Sequence, residues 1–147
     1  MDKIYVKLDD SEWHNNSSES VWAEYINGYY QIKNIPFYTK SFSFDDIVST
    51  EATDGLLWIK EIKKRSGHST YRIFLEDNAD DALFIKYWLP IENAGCSYEK
   101  AYDKFYAIDV PPNTDIYTAY QLLEIGQRDN IWDFEEGFCA HLLNKTK

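Results

Sequence analysis

One short stretch combines residue types that could bind an anion or move a proton. The run SGHSTYR at 66–72 places His68 at a predicted turn between two strands and Arg72 in the strand that follows. An imidazole exchanges a proton near neutral pH, and a guanidinium holds a phosphate or a carboxylate through two parallel hydrogen bonds. His68 and Arg72 are therefore candidates for an enzyme site acting on a phosphodiester, or for a site that binds a small anion.

The same residues also have a structural interpretation. Serine, glycine and threonine suit a turn, and Arg72 can pair with a carboxylate on a neighbouring strand. Glu135 and Glu136 offer such carboxylates, but adjacent residues of a strand point to opposite faces, so these two do not form a catalytic dyad. Because acid–base catalysis needs a partner in a defined geometry, and the sequence shows no second histidine at a defined spacing, the structural interpretation is favoured.

The sequence predicts neither a metal site nor a bound cofactor. It contains no Cys and His cluster for zinc, no glycine-rich loop for phosphates and no dinucleotide fingerprint. Cys96 and Cys139 lie among apolar residues, as inert thiols usually do. The acidic pairs lack the ligand spacing of a calcium loop and are typical of helix starts and solvated surface; they are Asp9-Asp10, Asp45-Asp46 and Asp80-Asp81. This lack of a recognised catalytic constellation favours a binding protein over an enzyme.

Charge restricts the classes of partner. The chain of 147 residues carries 15 Lys and Arg against 25 Asp and Glu, a net charge of −10. Residues 73–147 hold 14 acidic and 6 basic residues, a net of −8. Neutralising the phosphates of nucleic acid needs clustered cations, and the chain has one such cluster: Lys60, Lys63, Lys64, Arg65 and Arg72. We therefore expect a basic protein partner rather than nucleic acid.

Hydrophobic residues make up 44% of the chain, which is enough to predict a folded core rather than disorder. The N-terminus lacks the apolar stretch of a secretion signal, and no segment approaches the length of a membrane span. The sequence therefore predicts a cytoplasmic location and no membrane partner.

The first half is predicted to form a small, strongly curved antiparallel sheet. Ile4, Val6 and Leu8 recur with the period of two that indicates a half-buried strand. The dipeptide Asn27-Gly28 separates VWAEYI from YYQIKNI and predicts a tight hairpin, and Pro36 ends its second arm. Further strands are predicted at 46–50 and 56–64. These elements define a predicted β half at residues 1–66.

The second half alternates between strand and helix patterns. Strands are predicted at 70–76, 96–101, 104–110 and 131–137. The spacing of Phe84, Tyr87, Trp88 and Ile91 predicts a helix over 80–91 that Pro90 kinks or ends. A second helix is predicted from Asp115, with Thr114 as its cap and a buried stripe of Ile116, Ala119, Tyr120 and Leu123.

The order strand–helix–strand–strand–helix–strand is that of a ferredoxin-like (βαββαβ) arrangement. The sequence therefore predicts an α+β protein: the curved antiparallel β half is followed by a ferredoxin-like half at residues 67–147. Because no proline-rich or glycine-rich linker separates the halves, we expect them to pack as one body.

Several short stretches across residues 21–137 together resemble a bacterial family known as domain of unknown function 4265. They are WAE at 22–24, NIPF at 34–37, DIV at 46–48, SGHSTYR at 66–72, GC at 95–96, AIDVPP at 107–112 and EEG at 135–137. One departure is that Asp45 stands where the family pattern has a glycine before Asp46, which would alter the turn there. The resemblance implies a common fold, and it implies no activity because the family has none established.

Small size, acidity, aromatic richness and the missing active site together favour a protein that binds and neutralises a specific partner. The most concrete hypothesis is an immunity protein that occludes the basic cleft of a cognate bacterial toxin, in particular a nuclease, because opposite charge speeds association. The predicted contact residues are Glu76, Asp77, Asp80, Asp81, Asp129, Trp132 and Asp133. The alternative is an enzyme, or a domain that binds a small anion or a phosphodiester, centred on His68 and Arg72.

Overall fold

Five strands close into a barrel in the first half of the chain. The computed structural model describes residues 1–9 and 14–143. Neighbouring barrel strands are antiparallel, except that the first and the last run parallel where Tyr5 pairs with Trp58. The barrel strands, in their order around it, are β1 (Asp2–Lys7), β2 (Ser18–Ile26), β3 (Tyr29–Ile32), β4 (Ile47–Thr53) and β5 (Leu56–Lys64).

The predicted hairpin between β2 and β3 is present. Asn27 has φ 48° and Gly28 has φ 91°, so both residues adopt the left-handed conformation that this two-residue turn needs. The strands on either side alternate, and the inward side chains fill the barrel with an apolar core that includes Ile4, Val21 and Ile32. The curved antiparallel sheet predicted from the sequence is therefore confirmed.

The second half is a four-stranded antiparallel sheet with two helices. Its sheet order is β7-β8-β6-β9, which is the order of a ferredoxin-like fold. The α+β prediction is thereby confirmed, whereas the division into domains at residue 66 stays a prediction. The elements are β6 (Ser69–Leu75), α1 (Asp81–Asn93), β7 (Ser97–Tyr102), β8 (Phe105–Val110), α2 (Ile116–Arg128) and β9 (Trp132–Glu136).

Both helices differ from the sequence prediction at one end. Helix α1 continues through Pro90 to Asn93, because only one backbone donor is missing and the helix ends within a turn of it. Helix α2 is capped by Asp115 rather than Thr114, since the Asp115 carboxylate accepts a hydrogen bond from the backbone N–H of Tyr117 at 3.0 Å. Among residues 1–9 and 14–143, neither helix is long and apolar enough to cross a membrane.

The two faces of the ferredoxin-like sheet have different coverings. The helices pack on one face around Ile73, Phe84 and Leu123. Residues of the segment between β3 and β4 cover the opposite face, where the Phe37 and Tyr38 rings lie 6.0 and 5.8 Å from the ring of Phe105. The barrel and the sheet therefore meet at a junction, and that junction positions His68 and Arg72.

Candidate functional sites

The fold brings most of the predicted acidic contact residues to one end of the ferredoxin-like half. Strand β6 ends there and β9 begins there, with Leu75 paired to Trp132 and the Glu76 N–H donating to the carbonyl of Ile131 at 2.9 Å. We call this surface the acidic end. Its residues are Glu76, Asp77, Asp80, Asp81, Asp129 and Asp133.

Most carboxylates of the acidic end reach solvent. Asp77, Asp80, Asp81, Asp129 and Asp133 are exposed, and Glu76 is half-buried. The Asp80 carboxylate also caps α1 by accepting a hydrogen bond from the Leu83 N–H at 2.9 Å.

Asp129, which follows the last residue of α2, links that end of the helix to the middle of α1. Its Oδ2 accepts a hydrogen bond from the Tyr87 hydroxyl at 2.8 Å, and its Oδ1 accepts one from Arg128 at 3.0 Å. These two bonds, with Arg128 first, lower the pKa of Asp129 and keep it ionised.

A seventh acid belongs to this surface, although the sequence analysis did not select it. Asp103 is exposed in the turn between β7 and β8. The neighbouring Lys104 carbonyl accepts a hydrogen bond from the Leu75 N–H at 2.8 Å, which places this turn beside the end of β6. The Lys104 ammonium is directed inward, to the carbonyls of Glu76 and Ala79. Only the antiparallel order β8-β6 could have revealed this neighbour.

Trp132 does not belong to the surface, so its prediction as a contact residue is wrong. Its side chain is 0% exposed and its indole N–H donates to the Leu123 carbonyl at 3.0 Å. The ring lies so close to Gly126 that a methyl group there would be 2.2 Å from it. The inward face of β9 buries this residue, whereas its neighbour Asp133 points outward.

A second charged region lies where the barrel meets the sheet. It is a cleft of about 290 Å³ that we call the junction cleft. Its wall on the barrel side comes from residues that pair across three strands, since Ile47 lies opposite both Gln31 and Lys64. The lining residues are Gln31, Asp45, Ile47, Lys64, Arg65, Ser66 and His68.

His68 is held at the inner wall of the junction cleft. Its Nδ1 lies 2.8 Å from Oδ1 of Asp109, and its Nε2 lies 3.9 Å from Oδ2 of Asp45. Burial by itself lowers the pKa of His68. The hydrogen bond and the charge of Asp109, together with the charges of Asp45 and Asp46, raise the pKa by more than burial lowers it, so the net shift is upward. The arrangement can hold an imidazolium whose Nε2–H is directed away from Asp109.

Asp45 contributes a carboxylate to the cleft from an unusual backbone conformation. Its φ of 69° is left-handed, which favours glycine, and its Oδ1 lies 2.8 Å from the Lys33 ammonium. Asp45, which stands where the family pattern has a glycine, therefore keeps a glycine-like backbone and adds a carboxylate beside His68.

Arg72 does not line the junction cleft, so the structure contradicts a ligand site that His68 and Arg72 share. The Arg72 side chain is 0% exposed, and its Nη2 donates to the carbonyls of Pro36 and Thr39. Its Nη1 lies 3.8 Å from Oε2 of Glu135 on the adjacent strand β9. The cross-strand ion pair suggested by the structural interpretation is therefore present, and Arg72 fastens the sheet to the barrel segment.

Two histidines have partners that the sequence did not indicate. Asp109, the partner of His68, was not selected because it is 41 residues away along the chain. His141 lies 2.6 Å from Oγ of Ser69 through Nδ1 and 2.9 Å from the Pro111 carbonyl through Nε2. Ser69 is fully buried, so this pair anchors the segment after β9 and offers no accessible nucleophile.

Comparison with known proteins gives a family and a fold. The family model described as "Domain of unknown function (DUF4265)" matches residues 19–134. No curated protein matches the chain. A crystal structure of a hypothetical protein from Neisseria gonorrhoeae is similar, with a TM-score of 0.79, 22% identity and 96% of each chain covered. At that identity the likeness shows a shared fold alone.

Proposed function

This chain belongs to the family described as domain of unknown function (DUF4265), which supplies no activity, and we propose that it is a small acidic protein that binds and neutralises a basic partner. In its most specific form, it is an immunity protein for a cognate bacterial toxin whose active site acts on nucleic acid. The observation that carries this proposal is the convergence of acids from three separate parts of the sequence on the acidic end, namely residues 76–81, Asp103 and residues 129–133.

The acidic end has the properties that electrostatic steering needs. Six of its acids, including Asp103, are exposed, and they lie in or next to the segments that join β6 to α1, β7 to β8 and α2 to β9. A cleft that binds nucleic acid carries an excess of Lys and Arg, so it attracts such a surface and loses access to its substrate once covered. Inhibition then follows from occlusion and needs no chemistry by this chain.

The first test is co-expression with the product of the neighbouring upstream open reading frame. If the proposal is right, the neighbour alone arrests growth, and this protein restores growth and co-purifies with the neighbour as a one-to-one complex. A neighbour that is harmless by itself and forms no complex would overturn the immunity role.

The second test locates the binding surface with two variants of equal charge. Asp77→Lys with Asp133→Lys reverses two exposed acids of the acidic end, whereas Glu24→Lys with Glu51→Lys reverses two exposed acids of the barrel. Both changes raise the net charge by the same amount. We expect the first variant to lower the association rate by about tenfold or more at low salt, and the second to leave it nearly unchanged. Equal effects of the two variants would contradict a role for the acidic end.

A further inference from the structure

The junction cleft is a second ionisable region that the proposed function does not use. We propose that it binds a small oxyanion of the phosphate class, held by Lys64, Arg65 and the Nε2 of His68. The ligand is inorganic phosphate or the phosphate group of a small monoester. This site lacks Arg72 and differs in that respect from the one suggested by the sequence.

The size of the cleft limits the ligand. Its volume of about 290 Å³ lies at the lower limit of small-molecule sites, which are usually about 300–1,000 Å³. A phosphate group with a small substituent fits this space.

Two of the three donors at the cleft, Arg65 and His68, are held in place before any ligand binds. Arg65 stacks on the Phe138 ring at 4.1 Å, and its Nη1 donates to the Ser41 carbonyl at 2.7 Å. Asp109 fixes the His68 ring through Nδ1, which leaves Nε2 for the cleft. Such preorganisation reduces the entropy lost when an anion binds.

The carboxylates near the cleft are already occupied. Asp46 accepts hydrogen bonds from the N–H groups of Ser43 and Ser66 and from Arg65. Asp109 holds His68, and Asp45 is paired with Lys33. When His68 is protonated, the cations at or beside the cleft outnumber the carboxylates by one: Lys33, Lys64, Arg65 and His68 against Asp45, Asp46 and Asp109.

Asp45 acts as an internal competitor for the anion. Its carboxylate lies 3.9 Å from the Nε2 of His68 and holds the Lys33 ammonium at 2.8 Å. Asparagine tolerates the left-handed backbone at this position, so Asp45→Asn removes the charge without disturbing the turn. We expect this variant to bind phosphate several-fold more tightly than the wild type.

The test is a titration of the full chain with inorganic phosphate at constant ionic strength, followed by the His68 ring resonances and by calorimetry. We expect a saturable shift within about 20 mM, which would detect a millimolar Kd. No saturable shift in either the wild type or Asp45→Asn would overturn the proposal.

Matched lysine variants separate a site from general attraction. Lys64 lines the cleft, whereas Lys60 is exposed on the same strand and does not line it. Lys64→Gln should weaken binding by about fivefold or more, and Lys60→Gln should not. Equal losses in both would overturn the site. Glycerol 3-phosphate serves as a second probe: tighter binding than phosphate identifies a small monoester as the ligand, and equal or weaker binding identifies the free anion.

Discussion

The acidic end and the junction cleft are both rich in carboxylates, but the two regions use them in opposite ways. At the acidic end, Asp77 and Asp133 project into solvent. At the junction, Asp46 is 1% exposed and its carboxylate accepts hydrogen bonds from two backbone N–H groups and from the Ser66 hydroxyl. Exposed charges contribute little to folding and much to association rates, whereas a buried, fully partnered charge is costly to disrupt. The charged groups of the junction therefore stabilise the fold, whereas those of the acidic end remain available for a partner.

The largest expected effect comes from the buried cation of the junction. Arg72→Ala removes the donor to the Pro36 and Thr39 carbonyls and leaves Glu135 without its cross-strand cation. We expect the free energy of unfolding in urea to fall by about 3–5 kcal/mol. The control is Arg128→Ala at the acidic end, an exposed arginine for which we expect a change of about 0.5 kcal/mol or less. If Arg72→Ala lowers the free energy of unfolding by less than about 1 kcal/mol, the charged groups of the junction do not stabilise the fold to the extent expected.

The two regions also differ in how well the sequence predicted them. Local patterns predicted the Asn27-Gly28 hairpin and the order of the second half, because periodicity and turn chemistry act over a few residues. They also identified most acids of the acidic end, because these acids form two short clusters in the sequence, at residues 76–81 and 129–133.

The junction depends on pairings between residues far apart in sequence, and these were missed. His68 and Asp109 meet because β6 and β8 are adjacent, and Arg72 is covered by a segment more than 30 residues before it. Trp132 was misassigned for the same reason, since its burial depends on the close approach of Gly126 in α2. A strand pattern alone does not reveal which face a helix will cover.

A smaller effect should appear in the pH dependence of stability. The pKa of His68 is raised above its ordinary value of 6.5 in the folded protein, because Asp109 and the neighbouring acids outweigh burial. A group with a raised folded pKa stabilises the protein fully below pH 6.5 and loses that contribution as the pH rises through the folded pKa. We therefore expect the urea midpoint to fall as the pH rises above 6.5.

The control for this titration is His68→Gln, which keeps a donor for Asp109 and carries no titrating proton. Its urea midpoint should be flatter over the same pH range than that of the wild type. If both proteins show the same slope, another group causes the pH dependence, and the ion pair with Asp109 is not a source of stability at the junction.

The smallest change in stability is expected for the acidic-end variant that is also used in the association test. Asp77 and Asp133 are exposed, so replacing both by lysine should change the free energy of unfolding by about 0.5 kcal/mol or less, in either direction. The same measurement on Glu24→Lys with Glu51→Lys provides the matched value for the barrel. A loss above about 1.5 kcal/mol at the acidic end would mean that these acids support the fold, and a slower association would then report unfolding rather than a lost contact. If the two double variants lose equally little stability but only the acidic-end variant associates more slowly, the acids of this end contact the partner.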